Sequence, residues 1–449
     1  MIHFMNLRIQ MSIQLSRFNG FPAITSGLHR IVPYVAALAL IFSQLSCKKG
    51  TESSGGGTGG GSNGDTLITV TALPPASVSK TNSQKIFVHY MPWFETPSTS
   101  GNGNWGIHWT MQNQNPNTIL SNGQRQIASF FYPMIGPYAS SDRDVIDYHT
   151  LLMKYAGIDG VIVDWSGTHA VYDYPLIRRN TDSLFNSMPR NGLQLAVCYE
   201  DATLRNVKNI AGIDTVQAAQ DDFSYLKSSY FNSPGYIKIG GRPLVLCFGP
   251  QVIQVPDEWQ RTFSVLDQKP VFLSLWYQGD VTGDQGSGEF PWVYSDYLSG
   301  LQNYYSNRVP LLNTAFACAY PGFKDFYAQG GWGNNLFVID HNGSATLQNT
   351  LGLAQQSQLP YIQLITWNDF GEGTMIEPTT QFNYSFLQAI QQYTGVPYAL
   401  TELELIFKWF TLKKKYASNQ GYQSQLRQAY YYLVALDVSH AANLINAIN

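Results

Sequence analysis

Residues 160–165 read Gly-Val-Ile-Val-Asp-Trp, a short apolar run that ends in an acid and an aromatic residue. Continuous apolar runs are typical of strands that are buried on both faces of a parallel sheet. Seven more runs alternate with helical patterns: Lys85–Tyr90, Leu193–Glu200, Pro243–Phe248, Pro270–Trp276, Leu312–Tyr320, Asn335–His341 and Tyr361–Trp367. This alternation predicts an α/β fold, a (β/α)8 TIM barrel over residues 81–395. An open doubly wound sheet is the alternative, although no GxGxxG follows the first strand.

Helical segments show in the spacing of apolar residues. Val145, Tyr148, Leu152 and Tyr155 recur at three- and four-residue intervals, and Gly157 stands where a C-cap belongs. Near the end of the chain, Thr401-Glu402-Leu403-Glu404 fits a capping box, and helical patterns cover residues 421–436 and 439–448. We therefore expect a small helical extension over residues 396–449.

In a barrel the residues that follow the strands share one rim, where chemistry takes place. Acids and aromatic residues stand at these positions: Tyr90, Trp93, Asp164, Trp165, Tyr199, Glu200, Trp276, Asn368, Asp369 and Glu372. Aromatic faces pack against the C–H faces of sugar rings, and carboxylates bind hydroxyl groups. The rim is therefore predicted to bind an oligosaccharide or polysaccharide.

Two carboxylates lie three residues apart where the last predicted strand ends, at Asp369 and Glu372. Asp and Glu are seldom fully buried unless they are paired. Hydrolysis of a glycosidic bond needs two carboxyl groups, one to donate a proton and one to activate a nucleophile. Two nearby carboxylates disfavour being charged together, so the pair is expected to share one proton. The sequence leaves open which residue keeps it.

Composition excludes several classes of function. The net charge is −3, so no basic face indicates nucleic acid. Charged residues make up 13% of the chain and aromatic residues 14%, which suits a neutral, hydroxyl-rich ligand as well as a Tyr- and Phe-packed core. Cys198, Cys247 and Cys318 lie in apolar runs and are expected to be buried thiols. No metal-ligand spacing is present, and we expect neither a metal nor a cofactor.

The N-terminus has the features of a targeting segment. Arg8, Arg17 and Arg30 precede the apolar stretch Ile31–Leu45, which is short for a membrane span. The stretch ends at Cys47 and resembles a bacterial lipoprotein signal over residues 1–46, with Cys47 as the lipidated residue. A Gly/Ser-rich tether follows over residues 47–80. We expect export and lipid anchoring to a bacterial membrane, periplasmic or at the cell surface.

Several motifs resemble the endo-α-mannosidase family of glycoside hydrolases. Ile107-His108-Trp109 looks like its early IHW, and a longer pattern follows over residues 131–149. The family's next strand closes with Ser-Trp, where this chain has Asp164-Trp165. Glu372-Gly373-Thr374 with Ile376-Glu377-Pro378 is similar to its EGTxIEP signature. The resemblance spans roughly residues 85–390.

The last motif also departs from that family. Residues 368–373 read Asn-Asp-Phe-Gly-Glu-Gly, where the family has NEWHEG, and residues 367–372 resemble the WND(Y/F)GE of the related fungal α-1,3-glucanase (mutanase) family. The combined resemblance implies an endo-acting hydrolase of an α-glucan or α-mannan. It implies that Asp369 assists attack and Glu372 is the general acid. His108, Trp109 and Glu377 join the expected substrate-binding residues.

Substrate and mechanism are linked. In an α-mannoside the 2-hydroxyl is trans to the leaving group, so Asp369 could deprotonate it for an internal displacement through an epoxide. In an α-glucoside this hydroxyl is cis, and Asp369 would instead activate water with inversion. A non-catalytic glycan-binding lipoprotein on the same barrel, or a protein of surface polysaccharide assembly, is the alternative function.

Overall fold

The structure, a computed structural model, describes residues 66–448. The predicted signal segment, the lipidation site Cys47 and the Gly/Ser-rich stretch 51–65 lie outside the described residues. No helix among the residues that are described is both long enough and apolar enough to span a membrane.

The core is a barrel-like parallel sheet. Its neighbouring strands follow the order β8-β7-β6-β5-β3-β2-β1-β12-β9. The strands are β1 Lys85–Tyr90, β2 Gly160–Trp165, β3 Gln194–Tyr199, β4 Lys238–Ile239, β5 Arg242–Cys247, β6 Val271–Leu275, β7 Gly288–Phe290, β8 Thr314–Ala315, β9 Ala317–Ala319, β10 Phe323–Lys324, β11 Val338–Ile339 and β12 Tyr361–Leu364. β8 and β9 are the first and last strands in this order, and only Phe316 separates them along the chain. The sheet therefore nearly closes on itself. The predicted (β/α)8 architecture is confirmed.

One predicted barrel strand is wrong. Asn335–His341 contributes only β11, which pairs antiparallel with β10 outside the barrel, and Val338 is 57% exposed. Its place is taken by β7, which pairs in parallel with β6 and β8. The sequence hides β7 because Gly288 and Glu289 break the apolar run. Glycine is required at 288, since a Cβ there would lie 1.7 Å from the carbonyl oxygen of Thr314.

Helices cover the outside of the barrel and form the C-terminal part. They are α1 Ile107–Thr110, α2 Arg143–Tyr155, α3 Tyr174–Asn191, α4 Thr203–Ala211, α5 Thr215–Leu226, α6 Pro256–Phe263, α7 Gly279–Thr282, α8 Tyr297–Asn303, α9 Tyr327–Gly330, α10 Ala345–Gln356, α11 Ser385–Thr394, α12 Leu400–Lys415, α13 Gln420–Val434 and α14 Val438–Asn446. The predicted stripe Val145, Tyr148, Leu152 and Tyr155 is buried along α2. Short 3-10 or π turns lie at Lys227–Phe231, Gly283–Gln285, Tyr304–Arg308 and Val309–Leu311.

The C-terminal helices begin close to their predicted positions, but the capping contact involves other residues than predicted. Helix α12 starts two residues earlier than the predicted capping box implies, with Ala399 as the N-cap in place of Thr401, and Glu402, not Glu404, accepts the N–H of Ala399 at 2.8 Å. Residues N-terminal to the barrel lie along these helices. The N–H of Ile68 donates to Ser424 Oγ at 3.1 Å, and the N–H of Ala76 donates to the carbonyl of Val434 at 3.2 Å. The three cysteines of the apolar runs are buried and free, as predicted.

Candidate active site

The loop that follows β12 carries the two predicted catalytic acids. Thr366 ties it together, because its N–H donates to the carbonyl of Thr374 and its Oγ1 accepts the N–H of Asp369, both at 2.9 Å. Gly373 has a φ of 67°, and a Cβ there would lie 2.7 Å from the carbonyl oxygen of Lys324, so glycine is required. Within the loop the N–H of Glu372 donates to Asp369 Oδ1 at 3.0 Å. The fold therefore holds the two acids next to each other.

Asn368 fixes this loop to the end of β1. Its Oδ1 accepts the N–H of Met91 at 2.8 Å, and its Nδ2 donates to the carbonyl of Met91 at 3.0 Å and to Tyr138 Oη at 3.1 Å. Tyr138 in turn donates to Glu377 Oε2 at 2.7 Å, while His149 Nε2 lies 3.2 Å from Glu377 Oε1. Both His149 and Glu377 are almost fully buried. We call these four residues, Asn368, Tyr138, Glu377 and His149, the support network.

Several residues predicted to bind substrate are closed to solvent in this structure, and their direct contact with a substrate stays a prediction. They are Tyr90, Trp109, Trp165, Tyr199, Asn368 and Glu377, each at most 1% exposed, and Trp276 at 6%. Tyr90 contacts His149 Nδ1 through its hydroxyl at 3.1 Å, and Tyr199 donates to Asp222 at 2.7 Å. Trp276 packs against Tyr304. These side chains therefore position the rim from behind and do not form its surface.

Four carboxyl groups converge at the front of the site: Asp164 near the end of β2, Glu200 after β3, and Asp369 and Glu372 after β12. Burial, followed by the charge of Glu372, raises the pKa of Asp369 well above its usual range. Burial raises the pKa of Asp164 to about 7, and the charges of Asp173 and Glu372 act in the same direction. We call these four residues the carboxyl cluster.

Asp164 and Glu200 share a hydrogen bond within the cluster. Burial raises the pKa of Glu200 well above its usual range, and the charge of Asp164 and this hydrogen bond raise it further. The same bond holds down the pKa of Asp164. Within residues 66–448, no Lys or Arg forms an ion pair with Asp164, Glu200 or Asp369.

Sequence reasoning missed one residue that contacts the acids. Tyr327, the first residue of α9, donates its hydroxyl hydrogen to Glu372 Oε1 at 2.7 Å. It comes from the irregular segment between β10 and β11, where no periodic pattern pointed to it.

Of the predicted aromatic contacts, Trp93 and His108 remain half-buried at the rim, with their rings stacked 4.3 Å apart. No group of His, Cys, Asp or Glu in the described part of the chain is arranged to hold a metal ion.

Comparison with known proteins places this geometry in context. A sequence profile of glycosyl hydrolase family 99 matches residues 81–280. The glycoprotein endo-alpha-1,2-mannosidase of Mus musculus is 22% identical over 347 residues, which cover 68% of this chain and 71% of the mouse protein. A glycoprotein endo-alpha-1,2-mannosidase-like protein of Danio rerio is 25% identical over 150 residues, or 31% of this chain. The match spans only 33% of that relative's length.

Solved structures agree on the fold. The family 99 endo-alpha-mannosidase of Bacteroides thetaiotaomicron superposes with a TM-score of 0.55 at 19% identity, covering 71% of this chain and 99% of that one. The barrel and the matched profile together define the class, which is that of the glycoside hydrolases. Within this class, the profile match and the mouse relative are similarities to glycoside hydrolases of the endo-α-mannosidase type, and the solved structure supports the fold.

Proposed function

We propose that this chain is an endo-acting hydrolase of α-linked polysaccharides that uses Asp369 and Glu372 as its catalytic pair. The observation that carries the proposal is their position on one tight loop at the carboxyl end of the barrel strands, joined by the bond from the Glu372 N–H to Asp369 Oδ1. A buried carboxyl beside a second one is how a protein keeps one acid protonated near neutral pH.

The two acids have different environments, which supports different roles. Burial and the charge of Glu372 raise the pKa of Asp369, but the second effect disappears while Glu372 holds a proton, and backbone hydrogen bonds from Gly371 and Glu372 then favour the ionised form of Asp369. Glu372 is more exposed than Asp369, so its carboxyl can present a proton to a ligand, and its Oε1 accepts the Tyr327 hydroxyl. We therefore assign Glu372 as the general acid and Asp369 as the carboxylate that assists attack.

An α-mannoside is the first candidate substrate. The named relatives are endo-α-mannosidases, and the trans arrangement of the 2-hydroxyl and the leaving group suits a carboxylate in the place of Asp369. That carboxylate would take the proton of the 2-hydroxyl as the hydroxyl oxygen displaces the leaving group. The leaving-group oxygen would take the proton of Glu372. Water would then open the epoxide, with retention of configuration overall.

An α-glucan is the second candidate, and one local observation favours it. Position 371 is glycine where the mannosidase motif has histidine, and a Cβ at 371 would lie 3.3 Å from Met111 Cε and 3.4 Å from Asp369 Oδ1. The methyl group of Met111 therefore takes up space that a histidine side chain would need. This difference beside the catalytic loop supports a pocket that departs from the mannosidase branch.

Digestion of a panel of α-linked mannans and glucans, followed by proton NMR, tests the proposal. We expect internal cleavage to shorter oligosaccharides. An α-anomer formed first from a mannan supports the epoxide route, and a β-anomer formed first from a glucan supports direct attack by water. Failure to cleave any member of the panel, with retained binding, would instead support the non-catalytic glycan-binding alternative.

We also propose that the protein is exported and anchored to a bacterial membrane through a lipid on Cys47. The support is the sequence alone: an apolar stretch that ends at Cys47, then a Gly/Ser-rich tether. Labelling of cells with a radioactive fatty acid should mark the wild-type protein but not Cys47→Ala. Equal labelling of both would contradict the anchor.

A further inference from the structure

A tryptophan in a glycine-rich loop stands next to the site and was not among the predicted ligand-binding residues. Trp332 follows Gly330 and Gly331, and its backbone N–H donates to the carbonyl of Tyr327 at 2.8 Å. The rings of Tyr327 and Trp332 stack with their centroids 6.1 Å apart and an angle of 26° between them. Trp332 is half-buried, while the following residues Gly333 to Asn335 are exposed.

Trp332 continues a series of rings drawn from separate parts of the chain. His108 meets Trp332 edge-on at 6.1 Å, and Trp93 stacks on His108 at 4.3 Å with an interplanar angle of 8°. Trp93 follows β1 and His108 lies in α1. All three rings are half-buried, so each keeps part of its surface open. We call Trp332, His108 and Trp93 the aromatic wall.

Two rings of the wall adjoin the carboxyl cluster. At one end of the wall, Tyr327 links Trp332 to Glu372 through its 2.7 Å hydrogen bond. In the middle of the wall, His108 Nε2 lies 3.3 Å from Asp173 Oδ2, and the charge of Asp173 raises the pKa of Asp164. The wall therefore borders the place where a glycosidic bond would be cleaved, on the side of Glu372.

We propose that the aromatic wall is the subsite for the leaving-group sugar, a neutral hexose on the reducing-end side of the cleaved bond. The inference rests on the proposed function, because a general acid must stand beside the leaving-group oxygen that it protonates. Tyr327 connects the assigned acid directly to Trp332. The C–H face of a hexose packs on flat aromatic rings, and its hydroxyl groups remain free for the rim and for water.

The test separates substrates by their leaving group. Trp332→Ala and Trp332→Phe are compared with wild type on α-1,2-linked mannotetraose and α-1,3-linked glucotetraose, and on the α-fluorides of the matching disaccharides. Fluoride leaves without a sugar in the proposed subsite. Trp332→Ala should lower kcat/KM on the cleaved tetrasaccharide by roughly tenfold, yet keep it within about twofold on the fluoride. Trp332→Phe should recover most of the loss.

Trp105→Ala is the matched control. Trp105 is a half-buried tryptophan between β1 and α2, and its Nε1 donates to Asn117 Oδ1 at 2.9 Å. This substitution should change neither rate. An equal loss on tetrasaccharide and fluoride, or no loss on either, would overturn the proposed subsite while leaving the assignment of Asp369 and Glu372 standing.

A binding measurement decides the case in which the wild-type protein cleaves neither tetrasaccharide, an outcome that would count against the proposed function. Calorimetric affinities for the same tetrasaccharides are then compared between wild type and Trp332→Ala. Weaker binding by roughly tenfold upholds the aromatic wall as a sugar subsite. Unchanged affinity, or the absence of binding by wild type, overturns it.

Discussion

The carboxyl cluster and the support network both contain buried acids, but they satisfy those acids differently. Glu377 in the support network accepts a hydrogen bond from Tyr138 and faces His149. Elsewhere in the barrel, Glu289 accepts from Arg308 Nε at 3.0 Å and from two backbone N–H groups. In the cluster, Asp164 and Glu200 instead share a hydrogen bond with each other. Buried acids that accept hydrogen bonds from fixed donors stabilise the fold. Acids that share a hydrogen bond with each other can exchange a proton.

The largest expected effect comes from removing the catalytic pair. Asp369→Asn and Glu372→Gln should each lower kcat by at least about 10³-fold, because proton transfer at the reacting oxygens is lost. Both variants should fold as well as wild type, since each removes a charge from a crowded group. Release of reducing ends from the best substrate of the panel measures the loss. Glu404→Gln, at an exposed carboxyl on α12, is the control and should remain fully active.

If either catalytic variant retains more than a tenth of wild-type kcat, the proposed difference between the catalytic and the structural acids is wrong. The acids of the loop would then be structural, like Glu377 and Glu289. A loss of folding in both variants would carry the same message, because a structural acid leaves its donors unsatisfied when it is replaced.

Asp164→Asn should change how stability depends on pH. Burial raises the pKa of Asp164 from 3.8 to about 7, so between these pH values the folded state holds a proton that the unfolded state has lost. The free energy of unfolding therefore falls as pH rises through this window, and the penalty is complete above it. At pH 8, Asp164→Asn should be more stable than wild type by at most about 4 kcal/mol. Urea unfolding from pH 3.5 to 8 measures the difference.

The two proteins should converge at the acid end of this range, where Asp164 is protonated in both states. Glu404→Gln is the control, since Glu404 is exposed on α12 and should shift the curve little. Parallel curves for wild type and Asp164→Asn across the whole range would show that Asp164 is not a proton-holding group.

Glu377 separates support from substrate contact. Glu377→Ala should lower the free energy of unfolding by about 3 kcal/mol, because the Tyr138 hydroxyl and His149 Nε2 lose a buried partner. Glu377→Gln keeps an acceptor for Tyr138 and should lose clearly less. Chemical denaturation of the three proteins measures this order. If Glu377→Ala is as stable as wild type but has a raised KM, the original prediction of direct substrate binding stands.

The smallest expected effect concerns the loop glycine. Gly371→Ala places a Cβ 3.3 Å from Met111 Cε, so the neighbour must shift by a few tenths of an ångström. We expect a loss of about threefold in kcat and a stability change below about 1 kcal/mol. Met111→Leu lacks the terminal methyl and should restore activity in the double variant. A double-mutant cycle measures the coupling, and strictly additive effects would exclude contact between the two sites.

Strands with an unbroken apolar pattern could be predicted closely from the sequence. β1 and β2 lie at the predicted residues, because burial on both faces keeps most of each run apolar. β7 could not be found, since its glycine is dictated by the close approach of Thr314 and its glutamate by Arg308. Both are contacts between residues distant in sequence, and local periodicity cannot predict such contacts. The segment that ends in Val338 has a strand-like composition but lies on the surface.

The candidate site was predicted in part, for a related reason. Motif spacing indicated the loop with Asp369 and Glu372, and strand ends indicated Asp164 and Glu200. The direction of a side chain at a strand end depends on the rest of the barrel, so Tyr90, Trp165 and Tyr199 read as rim residues although they are buried. Tyr327 and Trp332 reach the site from an irregular segment. Only the tertiary fold brings them to Glu372 and His108.

The protonation of the carboxyl cluster can be followed by ¹³C NMR of labelled Asp and Glu side chains as pH is varied. We expect a carboxyl resonance that titrates with a pKa of about 7 in wild type and is absent in Asp164→Asn. At least one carboxyl of the cluster should still be protonated above neutral pH, as expected for Glu200. Complete ionisation of all four cluster carboxyls by pH 5 would contradict the account.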